Sequence, residues 1–214
     1  MTSDERMAEI YAAISRAGIP ALVLGGHAVR FYGVERNTID FDLHLHMQED
    51  AWTRLAETLG EVFRGRGGIL EGPSWRPRQF RRFIIGRLPD GREERLECWR
   101  WNHLLAPFPE LQARRTDGIY GGKTLAFLGL EDLIRSKETE REDDWRDIEF
   151  LEEILDERNR ARAADAGGWV ACLGNVRSRR GFETLLRSGV LADPMPPSRR
   201  AQSPRPDTLS RGPT

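Results

Sequence analysis

The sequence predicts an α/β fold in which helices alternate with short strands, and three features carry that expectation. The apolar run 21–24 is bounded by glycines and reads as a buried strand, although a buried helical turn has the same signature. Residues 39–46 alternate strictly: Ile39, Phe41, Leu43 and Leu45 are apolar, while Asp40, Asp42, His44 and His46 are polar, the period of a half-buried strand. Around these runs, apolar residues recur at helical spacing.

In chain order, Met7, Ile10, Tyr11 and Ile14 mark a helix over 4–17, ended by Gly18 and Pro20. Gly25-Gly26 is expected to make a tight turn, and 27–32 a short helix stopped by Gly33. Trp52, Leu55, Ala56 and Leu59 form the stripe of a helix after the second strand. A loop rich in glycine and arginine covers 64–79. The runs 80–88 and 93–99 flank Pro89-Asp90-Gly91 and read as a hairpin. A short strand is expected at 125–128, followed by helices over 130–140 and 144–160, the second with Trp145, Ile148, Leu151 and Leu155 on one side. A small helical element covers 168–189. From Ala192 onward six prolines stand among polar residues with little that packs. The expected organisation is a main domain over 1–160, a helical extension over 161–191 and a disordered tail over 192–214.

Composition narrows the function classes. With 33 basic and 34 acidic side chains the formal net charge is -1, which gives no global attraction to nucleic acid. Cys98 and Cys172 form no CxxC pair, so neither a disulfide scaffold nor a cysteine-rich zinc site is indicated. The polar N-terminus lacks the apolar core of a signal peptide, and no segment approaches the roughly 20 apolar residues of a membrane span. A cytoplasmic setting without a membrane partner is the expectation.

The chemistry centres on Asp40 and Asp42. Residues two apart on a strand leave it on the same face, so the two carboxylates are neighbours. Held close they repel, and a divalent cation between them removes that penalty. Oxygen ligands favour Mg2+ (or Mn2+), which shares its shell with water and substrate phosphates. The rival reading is two solvated aspartates on a wet strand. Gly25 and Gly26 let backbone approach a ligand, and Arg36 and Thr38 lie upstream where they can position or neutralise an anion. Glu97, alternating with Leu96 and Cys98, is the candidate third carboxylate, or else the partner of an arginine across the hairpin.

Together, Gly25-Gly26-His27-Ala28, Gly33 and Arg36-Asn37-Thr38-Ile39-Asp40-Phe41-Asp42-Leu43 resemble the N-terminal signature of the nucleotidyltransferase superfamily, in its minimal or uncharacterised bacterial, toxin–antitoxin-like branch. Leu130 to Lys137, followed by Asp144-Trp145-Arg146-Asp147-Ile148, is similar to that branch as well. The resemblance covers about residues 5–160. It implies a mixed sheet with packed helices, metal at Asp40, Asp42 and Glu97, a triphosphate bordered by Gly25 and Gly26, and a phosphate or nucleotide contact at Lys137. It also implies a nucleoside triphosphate as substrate and transfer of its nucleotidyl group to a hydroxyl or phosphate acceptor. Two departures stand out: Gly26 occupies a position where many active members have serine, and Glu97 replaces the more usual aspartate, reaching about 1.5 Å further.

Between 64 and 100 there are ten arginines against five acidic residues. Arg76, Arg78, Arg81 and Arg82 can line the acceptor side, favouring an RNA end such as tRNA, or can be solvated or pair with the acidic 131–157 stretch. Trp75, Trp99 and Trp101 interleave with arginines and can stack bases or simply pack. His44 and His46 with Asp42 invite a zinc reading, but no further ligand arrives at suitable spacing. A protein acceptor, a cognate antitoxin bound by a catalytically degenerate module, and a metal-dependent phosphohydrolase are the other functional readings.

Overall fold

The computed structural model describes residues 2–64, 68–74, 76–163, 173–174, 176 and 179–187. The chain divides into two compact units, Met1–Arg158 and Asn159–Thr214. The first holds a mixed seven-stranded sheet in the order β3-β4-β5-β2-β1-β7-β6.

Helix α1 (Ser3–Arg16) opens on a capping box, with the Thr2 side chain accepting from the Glu5 amide and the Glu5 carboxylate from the Thr2 amide. Its apolar stripe buries Met7, Ile10 and Ile14. Strand β1 (Ala21–Leu24) is buried at every position, as expected of a central strand covered on both faces. Helix α2 (Gly25–Phe31) begins directly at Gly25. The helix thus takes in both glycines rather than starting after them, and the sharp turn expected there falls on Gly25 itself, whose φ is +65.

Strand β2 (Asp40–Leu45) pairs antiparallel with β1 and parallel with β5 (Glu93–Trp99). Helix α3 (Ala51–Phe63) buries Trp52, Leu55, Leu59 and Phe63. The glycine–arginine loop contains a short edge strand, β3 (Leu70–Glu71), paired with β4 (Phe80–Arg87). Strands β4 and β5 form the expected antiparallel hairpin. Helix α4 (Phe108–Ala113) and strand β6 (Thr116–Tyr120) precede β7 (Lys123–Phe127), which pairs with β6 and lies parallel to β1. Helices α5 (Leu130–Ser136) and α6 (Glu142–Ala163) follow.

Helix α1 packs on α3 and on β1, β6 and β7, while α2 packs on β1, β2 and α5. The alternating side chains Phe41, Leu43 and Leu45 of β2 join this core almost without exposure. Each such side chain contributes roughly 1.5–3 kcal/mol, and together they pin the register of β2. In the second unit, helix α7 (Arg179–Arg187) carries an Arg179–Glu183 pair one turn apart and lies within the expected 168–189 element. The proposed tail, 192–214, lies outside the described residues.

Candidate active site

The centre of the sheet positions the two aspartates. Asp42 stands opposite Leu24 of β1 on one side and Glu97 of β5 on the other, and Asp40 stands opposite Arg95. Because β1 ends at Leu24, the first residue of α2 falls against the Asp42 side chain. Gly25 has φ +65, and a Cβ there would lie 2.0 Å from Asp42 Oδ2. A Cβ on Gly26 would lie 2.5 Å from Thr38 Oγ1. The glycines thus make room for Asp42 and Thr38, a nearer reason for them than approach to a ligand. Thr38 Oγ1 donates to the Asp40 carbonyl at 3.1 Å, tying the approach loop to the start of β2. A serine at position 26 would compete with Thr38 for one space.

Among the described residues neither aspartate is ion-paired, and Asp40 Oδ1 is buried without a hydrogen-bond partner. Burial, then the negative charge of Glu97, push the Asp42 carboxyl up to about 7 despite the opposing charge of Lys137. Glu97 itself accepts from Arg82 Nε at 2.9 Å and Nη2 at 2.7 Å, so the cross-hairpin arginine pair is what the structure shows. Among the described residues no three His, Cys, Asp or Glu side chains are gathered to hold a metal ion. Mg2+ is commonly held by only one or two carboxylates plus phosphates and waters. An orphaned carboxylate oxygen beside an uncompensated carboxyl fits that donor set.

Lys137 is the C-cap of α5, and its Nζ lies 2.9 Å from Asp144 Oδ1 and 3.0 Å from Asp147 Oδ2 of α6. All three side chains are buried, and Arg36 also pairs with Asp147. Burial pushes the Lys137 ammonium below its ordinary value against the pull of Asp144. For Asp144 burial works the other way, but hydrogen bonds from Lys137 and Thr139 outweigh it and hold the carboxyl below the usual range. Asp144 and Asp147 were not singled out as site residues from sequence; their spacing of three on a helix was the available signal.

A cavity of about 550 Å³ borders the loop before β2 (Arg30, Gly33 to Asn37) rather than the carboxylates themselves. A neighbouring cavity of about 250 Å³ runs from Arg36 to Asp147 and Phe150. Three of the four arginines expected on the acceptor side are engaged elsewhere: Arg78 with Glu49, Arg81 with Glu71 and over Trp52, Arg82 with Glu97. None of these three pairs with the 131–157 segment. Trp99 packs on Phe80, Trp101 is exposed, and Trp75 lies outside the described residues. His44 is buried against the Trp99 carbonyl and His46 stacks on Phe108, so both pack rather than gather as metal ligands.

No family model and no curated protein matches the chain. Among solved structures, the lincosamide antibiotic adenylyltransferase LnuA, lincomycin-bound, superposes with TM-score 0.50 at 16% identity, covering 72% of this chain and 98% of that one. The fold is nucleotidyltransferase-like. An antigenic nucleotidyltransferase-like protein from Paracoccidioides brasiliensis aligns with TM-score 0.49 at 15% identity over 87% of this chain and 94% of its own. The mixed sheet with packed helices is the architecture of that fold, and α7 belongs to the second unit. No helix among the described residues is long and apolar enough to cross a membrane.

Proposed function

We propose that this protein is a metal-dependent nucleotidyltransferase that moves a nucleoside monophosphate from a nucleoside triphosphate to a hydroxyl or phosphate acceptor. The observation that carries this reading is the uncompensated Asp40–Asp42 pair at the centre of a nucleotidyltransferase-like sheet, with one carboxylate oxygen orphaned. A buried acceptor of this kind is costly unless something binds it. Asp40 and Asp42 are the residues to hold Mg2+ or Mn2+, and the cation when bound supplies charge neutralisation at the α-phosphate and the leaving pyrophosphate. The acceptor oxygen attacks the α-phosphorus, a P–O bond forms to it, and the bond to pyrophosphate breaks. Asp42 and Glu97 stand side by side to orient that oxygen and receive its proton, once Glu97 exchanges its bond to Arg82. Thr38 fixes the start of β2, Gly25 and Gly26 admit the packing beneath it, and Arg36 supplies positive charge toward the phosphates.

The test is incubation with each of the four labelled triphosphates, Mg2+ or Mn2+, and total RNA or protein as acceptor. Label transferred by the wild type and abolished in Asp40→Ala and Asp42→Ala is the expected result. Release of inorganic phosphate without label transfer would indicate a phosphohydrolase. A second reading, a binding module that has lost turnover and meets a protein partner such as an antitoxin, is favoured by one observation: Arg82 occupies the candidate third carboxylate. Nucleotide binding without transfer to any acceptor would select it.

A further inference from the structure

Two cations share Asp147, and they are in unlike situations. Lys137 is 8% exposed and lies between Asp144 and Asp147, so its charge is already matched. Drawing it toward a phosphate would take the buried cation from both carboxylates and leave them only Arg36 and the exposed Arg141, which is unfavourable. Arg36 is 21% exposed, bonds Asp147 through Nη1, and lines both the 550 and the 250 Å³ cavities. A guanidinium has five N–H donors, so fixing one nitrogen orients the plane and leaves donors for an oxyanion.

We propose that Asp147 is a positioning residue for the nucleotide's phosphates: its Oδ2 is shared by buried Lys137 and cavity-lining Arg36, and so it holds the Arg36 guanidinium at the cavity beside the loop that leads into β2. The inference rests on the transferase reading and leaves Arg36, not Lys137, as the phosphate contact. Lys137 anchors Asp147 from the protein side, and its second partner Asp144, held in turn by Thr139 at 2.6 Å, keeps that anchor in place. Asp147 touches no substrate; it acts through Arg36.

A double-mutant cycle tests this on the full chain, using titration calorimetry with each triphosphate and Mg2+, and KM and kcat where transfer is measurable. Arg36→Ala and Asp147→Asn are each expected to weaken triphosphate binding by about tenfold. The double variant is expected to bind no more weakly than Arg36→Ala alone, because Asp147 has nothing left to position. The effect falls on KM rather than kcat, and Asp147→Glu, which keeps the charge, recovers most of the binding even if Asp147→Asn lowers thermal stability. Additive losses, or unchanged binding in Arg36→Ala, overturn the inference while the transferase reading stands. A wild type that binds none of the four triphosphates overturns that reading and this role with it.

Discussion

Two pairs of aspartates lie within the first unit, and their surroundings are opposite. Asp40 and Asp42, two apart on β2, have no cation paired to them among the described residues; one oxygen is orphaned and one carboxyl is raised to about 7. Asp144 and Asp147, three apart on α6, are bound by Lys137, Arg36 and Thr139, and Asp144 is held below the usual carboxylate range. The same side chain is left wanting a cation at the sheet centre and supplied with three, Lys137, Arg36 and Arg141, at the helix start. A satisfied pair holds elements together; an unsatisfied one stores a demand that a ligand meets. The contrast separates the candidate chemistry from the scaffold more sharply than motif content does.

Removing charge from the unsatisfied pair should produce the largest change. Asp42→Asn is expected to lower nucleotidyl transfer by about a thousandfold or more, since a metal-held phosphoryl centre draws several kcal/mol from its ligands. The same variant should be more stable than wild type at neutral pH without metal, by about 1 kcal/mol or more, because the folded state disfavours the ionised carboxyl. Urea unfolding alongside the transfer assay reads both. A stability loss would show that Asp42 is satisfied after all and dissolve the contrast.

The satisfied pair predicts the reverse. Lys137→Met removes the buried cation from Asp144 and Asp147, leaving them only Arg36 and the exposed Arg141, and should destabilise the protein by about 3 kcal/mol in the same denaturant measurement. An unchanged midpoint would mean that the buried ion pairs carry no net stability.

How much of this was readable in the sequence depends on the range of the interaction. The alternation of 39–46 placed Asp40 and Asp42 on one face, and the Pro89-Asp90-Gly91 turn located the hairpin, because both are local patterns. Strand β3 is two exposed residues, and β6 carries Gly118 and polar positions, so neither had a periodic signal. An arginine across the hairpin was the stated alternative for Glu97, and only its identity as Arg82 waited on register, whereas Arg36 meeting Asp147 joins residues 111 apart. The glycine pair was legible as special but for a different reason, since the space it leaves is filled by Asp42 and Thr38.

A third buried polar group sharpens the comparison through pH. His27 is fully buried, its Nδ1 is 2.9 Å from the Tyr120 hydroxyl, and that hydroxyl donates to Asp4, which also pairs with Arg30. Burial pulls its pKa down from 6.5 to about 4, with Asp4 opposing and Arg30 adding to the shift. The folded state therefore holds it neutral while the unfolded chain takes up a proton. Stability is fully present above about 6.5 and is lost as pH falls from there to about 4, by at most about 3 kcal/mol. Denaturant midpoints of wild type and His27→Gln across that window check it: the difference between the two, from which the opposite contribution of Asp42 cancels, should shift in favour of the variant as pH falls.

The smallest expected effect decides what Glu97 is for. Arg82 is 32% exposed, so its pair with Glu97 is partly screened and Arg82→Ala should change stability by less than about 1 kcal/mol. If the pair only staples the hairpin, Mn2+ affinity measured by calorimetry or electron paramagnetic resonance will not move. If Glu97 is a third ligand held in reserve, releasing it should tighten Mn2+ binding several-fold, because a carboxylate already in register with Asp42 no longer has to break an ion pair to reach the ion. Arg82→Ala combined with Glu97→Gln should then return the affinity to the wild-type level. A gain that survives Glu97→Gln would come from removing a nearby positive charge alone, and Glu97 would belong with Asp144 and Asp147 among the satisfied carboxylates.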